Sequence, residues 1–200
     1  MSLNKAIWII LLVLIIDQVL KIYMKTHFQL QEGFDIINTC GDVKAPQCRA
    51  LFKFYFIENE GMAWGVKIPG QYGKLFLTIF RLFAISGIGY WLWESTKKHA
   101  PKVLILSIAL IFAGAFGNII DSVFYGLIFE DSYSQVSSIF PEGGGYGKLF
   151  HGKVVDMFSF SFFDPVFNVA DFAISLGVGI IIVFNRKAFP KQLKEEETQE

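Results

Sequence analysis

Four apolar stretches divide the chain, and each carries a few polar residues inside it. Ala6 to Met24 is apolar except for Asp17 and Lys21. Leu75 to Trp93 is interrupted by Arg81 and ends on Tyr90, Trp91 and Trp93. Val103 to Ile120 carries Asn118 and runs into Asp121, and Val166 to Phe184 holds Asp171 in its first turns. Apolar runs of about eighteen residues or more can cross a hydrocarbon core of about 30 Å as helices, and aromatic clusters suit its interfaces. The pattern predicts a membrane α-helical fold with four transmembrane helices, over about 6–24, 75–93, 103–121 and 166–184. Between spans one and two, the alternation in FKFYFIENEG predicts a strand leading into a turn, so residues 25–74 are expected to form a small β-rich extracytoplasmic unit. The second long loop, 122–165, contains PEGGGYGK, which reads as a mobile loop. It also holds Asp164-Pro165, which reads as a turn returning the segment with Asp171 toward Asp156.

Charge in the short loops sets an orientation. Lys5, the group Lys97, Lys98 and Lys102, and the group Arg186, Lys187, Lys191 and Lys194 all fall on one side. Both termini are therefore expected in the cytoplasm, with loops 25–74 and 122–165 outside and a cytoplasmic tail 185–200, in a single polytopic domain over 1–200. A cleavable signal peptide is not expected, because the first apolar run carries charge at its far end and no small-x-small site follows. Counting at about 1.5 Å per residue from each cytoplasmic flank puts Asp17 at about 18 Å, Arg81 at about 20 Å, Asp171 at about 22 Å, Asn118 at about 24 Å and Asp121 at about 28 Å. These groups share one layer in the outer half of the bilayer. Ionisable residues at membrane depth mark function by default.

Composition agrees with this picture. The chain is 53% hydrophobic with 22 phenylalanines, too apolar for an ordinary soluble domain. Eighteen basic and eighteen acidic side chains leave no net charge, so nothing points to nucleic acid. Cys40 and Cys48 lack metal-site spacing; they form a disulfide across a short loop if they face an oxidising compartment, or remain two free thiols.

The candidate chemistry centres on His151 to Ile174, HGKVVDMFSFSFFDPVFNVADFAI, where Asp156 and Asp171 lie among apolar and aromatic neighbours. A carboxylate so surrounded must be paired, protonated or useful. Two facing carboxylates can share one proton, so that one acts as general base on a water and the other as general acid to a peptide, with no nucleophilic side chain, metal or cofactor. Asn-x-x-Asp occurs twice, as Asn118 with Asp121 and Asn168 with Asp171, which puts each pair on one helix face. Other chemistries fit less well. No serine sits in G-x-S-x-G, His27, His99 and His151 are scattered, and Glu142 occupies the place where a phosphate loop needs its first glycine. A proton-coupled transporter using Asp17, Asp121 and Asp171 as a relay is the rival reading, but inverted repeats and broken helices are missing. A purely structural subunit leaves the polar layer unexplained.

Individual residues have plainer readings as well. Asp17 and Lys21 can be an interfacial ion pair with the lysine snorkelling outward. Arg81 can pair with an intramembrane acid or meet an anionic head group. Asn59, before a glycine, can be a turn residue, and MFSFSFF can be interfacial packing.

Five stretches occur in the order known from one family: Asp17-Gln18-Val19-Leu20-Lys21, Asn59-Glu60-Gly61-Met62-Ala63-Trp64-Gly65, Gly117-Asn118-Ile119-Ile120-Asp121, Gly152-Lys153-Val154-Val155-Asp156 and Phe167-Asn168-Val169-Ala170-Asp171. On these the chain resembles lipoprotein signal peptidase (signal peptidase II), the membrane aspartyl peptidases that remove signal peptides from bacterial prolipoproteins. The resemblance implies that Asp156 and Asp171 are catalytic and that Asp17, Asn59, Gly61, Asn118, Asp121 and Asn168 shape the site and hold substrate, with no metal and no cofactor. It implies a prolipoprotein substrate whose cysteine carries a diacylglyceryl group, cleaved just before that cysteine. The expected setting is the bacterial inner membrane, with membrane lipid around the chain, the active site near the outer surface, and a monomer. Two departures stand out. Ser122 replaces an arginine usual in the family, so a cation is missing or comes from Arg81 or Lys153. The segment between Tyr125 and Gly152 is longer than the family's connection by roughly two dozen residues, as a lid or as a surface insertion.

Overall fold

The computed structural model describes residues 1–39, 49–60 and 73–190. Cys40, Cys48, Gly61 and the acidic tail beyond residue 190 lie outside the described residues. Among the described residues, three helices are long and apolar enough to cross a membrane: α1 (Leu3–His27), α2 (Gly73–Lys97) and α3 (Lys102–Ile120), the last continuing through a π-helical turn (Asp121–Tyr125) and α4 (Gly126–Ile128). Helices α1 and α2 extend a few residues past the runs that announced them, since flanking polar residues are also good helix formers. Helix α5 (Val169–Val183) is as apolar but has only 15 residues, about 22 Å at 1.5 Å per residue, and is followed by the short α6 (Asn185–Ala188). Its start falls later than expected because Val166 and Phe167 belong to a strand and Asn168 caps the helix.

Strands β1 (Gly33–Asn38), β2 (Ala50–Asn59), β3 (Val154–Phe160) and β4 (Phe163–Phe167) form one antiparallel sheet in that order. Strand β2 is the segment read from its alternation. The β-rich unit is not confined to the loop between the first two spans, however, because β3 and β4 come from the second long loop. Asp164-Pro165 is not the turn; Ser161 and Phe162 make it, and Asp164 and Pro165 lie in β4 at the sheet edge, where a residue without N–H is tolerated. MFSFSFF runs from the second half of β3 through the turn into β4 and joins an aromatic ladder across the sheet, Phe34 on Phe54, Phe54 on Phe158 and Phe158 on Phe167, with centroids 5.3, 5.3 and 5.7 Å apart.

Helix α3 sits at the centre, packed against α1, α2 and α5. Its contact with α1 and α5 is close because of a glycine: a Cβ on Gly117 would stand 2.7 Å from Asp17 Oδ2 and 3.3 Å from the Ala170 Cβ. One core joins Ala6, Ile10, Leu92, Ile105, Ile108 and Ala109 between the helices. A second joins Met24, Phe56, Tyr125, Phe129, Val155 and Met157, and locks the sheet onto α1 and the end of α3. The outward faces, with Trp8, Leu12, Ile15, Val19, Phe76, Phe80 and Phe83 exposed, are the apolar surfaces a lipid-embedded helix presents.

The long insertion is packed against this second core. Tyr146, within PEGGGYGK, packs beside Phe129, its hydroxyl accepts from Lys153 N at 2.6 Å, and Gly147 N donates to Gly126 O at 2.8 Å. The glycine-rich stretch is therefore a fastened segment and not a free loop. Further fastening comes from a buried cluster: Lys25 Nζ contacts Glu58 Oε1 and donates to Ser132 Oγ at 2.8 Å, while Lys153 Nζ donates to Glu58 Oε2 at 3.1 Å. The insertion thus grips the end of β2 through Ser132 and Glu58.

Candidate active site

Strand periodicity aims Asp156. In β3, Val155 and Met157 turn into the second core, so Val154 and Asp156 turn the opposite way, into a cavity of about 510 Å³. Antiparallel register then places Asn59 opposite Val154, on the same face as Asp156 and diagonal to it. Asn59 Nδ2 donates to Asp156 Oδ2 at 3.2 Å. Asn59 is thus more than a turn residue.

Helix capping aims Asp171. Asn168 precedes the first turn of α5 and accepts from Asp171 N at 2.9 Å, while Asn168 N donates to Asp171 Oδ2 at 3.3 Å, a reciprocal capping box. Another first-turn donor, Ala170 N, reaches Asp17 Oδ1 on α1 at 2.9 Å. Asp17 therefore fixes the end of the helix that carries Asp171. Asp171 lines the same cavity as Asp156, with Asn59, Arg81, Asn118, Phe167 and Phe172 among the walls.

One buried side chain ties the two acids together. Asn168 Nδ2 lies 2.7 Å from Asp156 Oδ1, 3.1 Å from Asn118 Oδ1 and 3.1 Å from Val155 O, and Asn118 Nδ2 donates to Asp171 Oδ1 at 2.8 Å. Burial pushes the Asp156 carboxyl up to about 8, the negative charge of Asp171 pushes the same way, and the donors on Asn59 and Asn168 oppose both.

Behind the cavity lies the rest of the polar layer. Lys21 Nζ meets Asp17 Oδ2 at 2.9 Å, Asp121 Oδ2 at 2.8 Å and Asn118 Oδ1 at 2.9 Å. Asp17, Lys21 and Asp121 are all fully buried, which overturns the reading of Lys21 as a snorkelling interfacial lysine. Asp121 also accepts from Gln18 Nε2 at 2.9 Å and from Val155 N at 3.2 Å. It holds β3 against the π turn and is set back from the cavity wall. The crossing is tight there, since a Cβ on Gly152 would come within 1.9 Å of Asp121 O.

Arg81 reaches across from α2 and donates through Nη1 to Ser122 Oγ at 3.3 Å, and Ser122 in turn donates to Asn118 O at 2.8 Å. A guanidinium therefore lines the cavity beside the position where the family arginine was expected. Lys153 is instead committed to Glu58. Among the described residues, the insertion contributes nothing to the cavity wall, which disfavours the lid. Sequence reasoning missed Gln18, Glu58 and Lys25. The first lay inside a quoted motif, and the acid next to Asn59 facing a lysine one turn beyond Lys21 was the available signal for the others.

The sequence profile described as signal peptidase (SPase) II matches residues 9–186. A lipoprotein signal peptidase of Porphyromonas gingivalis is 40% identical over 195 residues, covering 88% of this chain and 80% of the relative. One of Amoebophilus asiaticus is 33% identical over 216 residues, covering 98% and 86%. Among solved structures, a bacterial membrane enzyme determined by the in meso method at 2.3 Å resolution matches with a TM-score of 0.65 and 26% identity, over 96% of this chain and 94% of that one. With a profile matched over nearly its whole length, relatives of this identity and a shared polytopic architecture, the chain belongs to the signal peptidase II family of membrane peptidases.

Proposed function

We propose that this lipoprotein signal peptidase is an aspartic endopeptidase whose reacting groups are Asp156 and Asp171, acting on a prolipoprotein with a diacylglyceryl-modified cysteine and cutting before that cysteine. The observation that carries the reading is the Asn168 bridge: one buried amide side chain bonds Asp156 and caps the helix of Asp171, so both carboxyls face a single cavity. Asp156, buried and with its carboxyl pushed up to about 8 by that burial, is assigned the role of general acid. Asp171 sits at the positive end of α5 with N–H donors on both oxygens.

The reaction then balances without further groups. Asp171 takes a proton from a water whose hydroxyl adds to the scissile carbonyl carbon, and Asp156 gives its proton to the carbonyl oxygen. Collapse of the gem-diol returns that proton to Asp156, breaks the C–N bond, and passes the proton on Asp171 to the departing nitrogen. The Arg81 guanidinium is the cation this chain offers to substrate oxygens in place of the family arginine.

Four crossings, with α5 as a short fourth one, put both termini in the cytoplasm and the sheet outside. The cavity then opens toward the outer leaflet between exposed apolar helix faces, where a diacylglyceryl chain already resides. The protein acts as a monomer in the bacterial inner membrane. Cleavage of a diacylglyceryl-modified precursor by purified protein, absent with the unmodified precursor, tests the substrate assignment; equal cleavage of both overturns it.

A further inference from the structure

Lys21 is fully buried, one helical turn after Asp17 on α1, and it touches neither Asp156 nor Asp171 among the contacts of its ammonium. An ammonium has three donors and no acceptor. Its three oxygen partners are Asp17 Oδ2, Asp121 Oδ2 and Asn118 Oδ1. Asn118 is the one neutral member of the three, and its amide also meets one of the reacting acids.

That amide can lie in two orientations. With its oxygen toward Lys21 and Asn168 Nδ2, its NH2 group donates to Asp171 Oδ1 at 2.8 Å. Turned over, it would set donor against donor twice at Lys21 and Asn168, and acceptor against carboxylate at Asp171. We propose that Lys21 is a positioning residue of the active site: through Asn118 it fixes which end of the amide faces Asp171, and so directs the lone pairs of the general base into the cavity. This rests on the assignment of Asp156 and Asp171 as the reacting pair.

The charged groups that bear on Asp171 are Asp156 from β3, Arg81 from α2, and, behind Asn118, Lys21 and Asp17 from α1 with Asp121 from the end of α3. Removing Lys21 alone changes the charge of the buried cluster as well as the orientation of Asn118. Lys21→Met with Asp121→Asn keeps the balance, because Asp17, Asp121 and Lys21 sum to one negative charge and Asp17 alone carries the same.

The test is a double-mutant cycle on full-length protein in detergent, with a diacylglyceryl-modified precursor peptide as substrate. The expected result is that Lys21→Met lowers kcat between about 10- and 100-fold with KM little changed, and lowers it by less than about twofold in an Asn118→Leu background. The pH–rate profile moves alike in both single variants. Should Lys21→Met fail to fold, the charge-balanced Lys21→Met/Asp121→Asn is compared with the parent in the same two Asn118 backgrounds. An equal fold-loss with and without Asn118, or a loss that follows the melting temperature with an unmoved pH profile, overturns the inference. Asp156→Asn and Asp171→Asn run alongside: if either still cleaves, the reacting pair is misassigned, whereas inert aspartate variants with an additive cycle remove the Lys21 role alone.

Discussion

Asn168 Nδ2 donates to Asp156 Oδ1 at 2.7 Å while the oxygen of the same side chain caps the helix carrying Asp171. A capping residue thereby sets the spacing of two acids that belong to different elements, one on a strand and one on a helix.

The two duties of Asn168 separate by substitution. Asp at this position can still accept from Asp171 N, but it cannot donate to Asp156 and adds a third carboxyl. Asn168→Asp and Asn168→Ala are both expected to lose most activity, while only the second loses the cap, worth about 1 kcal/mol. Melting curves and initial rates on both variants check this; equal activity loss with unequal stability loss supports it, and a fully active Asn168→Asp contradicts it.

Asp156 gives stability a pH dependence of defined sign. Its carboxyl is raised from 3.8 to about 8 in the folded protein, so between about pH 4 and 8 the folded state binds a proton that the unfolded chain does not, and stability falls as pH rises through this window. Asn at 156 cannot titrate. The melting temperature of the parent relative to Asp156→Asn is expected to drop from pH 4 to 8 and level off above. A gap that stays constant with pH runs against the account.

Arg81 donates to Ser122 Oγ at 3.3 Å, so the two positions reach the same corner of the cavity. Arg81→Leu removes a charged donor from the cavity and is expected to lower kcat/KM by about 10- to 100-fold. Arg81→Leu/Ser122→Arg, which brings the guanidinium in from the π-helical turn, should recover part of the loss, and Arg81→Lys should recover little, since an ammonium lacks the planar fork. Parent-like kcat/KM in Arg81→Leu would show that the cation is structural.

Glu58 is a stability element beside the site. Its carboxylate is shared between Lys25, whose side chain is 0% exposed, and Lys153. Glu58→Gln strands a buried ammonium and is expected to cost about 3–5 kcal/mol, read as a fall in melting temperature. A variant that melts with the parent would mean the insertion is held by its aromatic packing alone.

Much of this was legible in the sequence because charges are rare in apolar runs. Asp17, Asn118, Asp121 and Asp171 stood out against their spans, their common depth foretold their meeting, and the structure joins them through hydrogen bonds, several by way of Lys21. The strand at 50–59 showed itself by alternation. What stayed hidden depended on pairing between distant segments: β3 and β4 look like an aromatic run until β2 supplies a partner, and Pro165 suggests a turn until the strand is seen to lie at an edge. Lys21 read as a snorkelling residue because its buried partner Asp121 sits a hundred residues later. The insertion gave no periodic signal, since its attachments run through single residues such as Ser132 and Tyr146.

The most direct measurement is cleavage of a diacylglyceryl-modified prolipoprotein by the parent, Asp156→Asn and Asp171→Asn, each purified in detergent and matched for melting behaviour. The account predicts cleavage by the parent and a loss of roughly 10²- to 10⁴-fold in each variant without loss of folding. A variant that folds and still cleaves at the parent's rate would contradict the assignment of that aspartate.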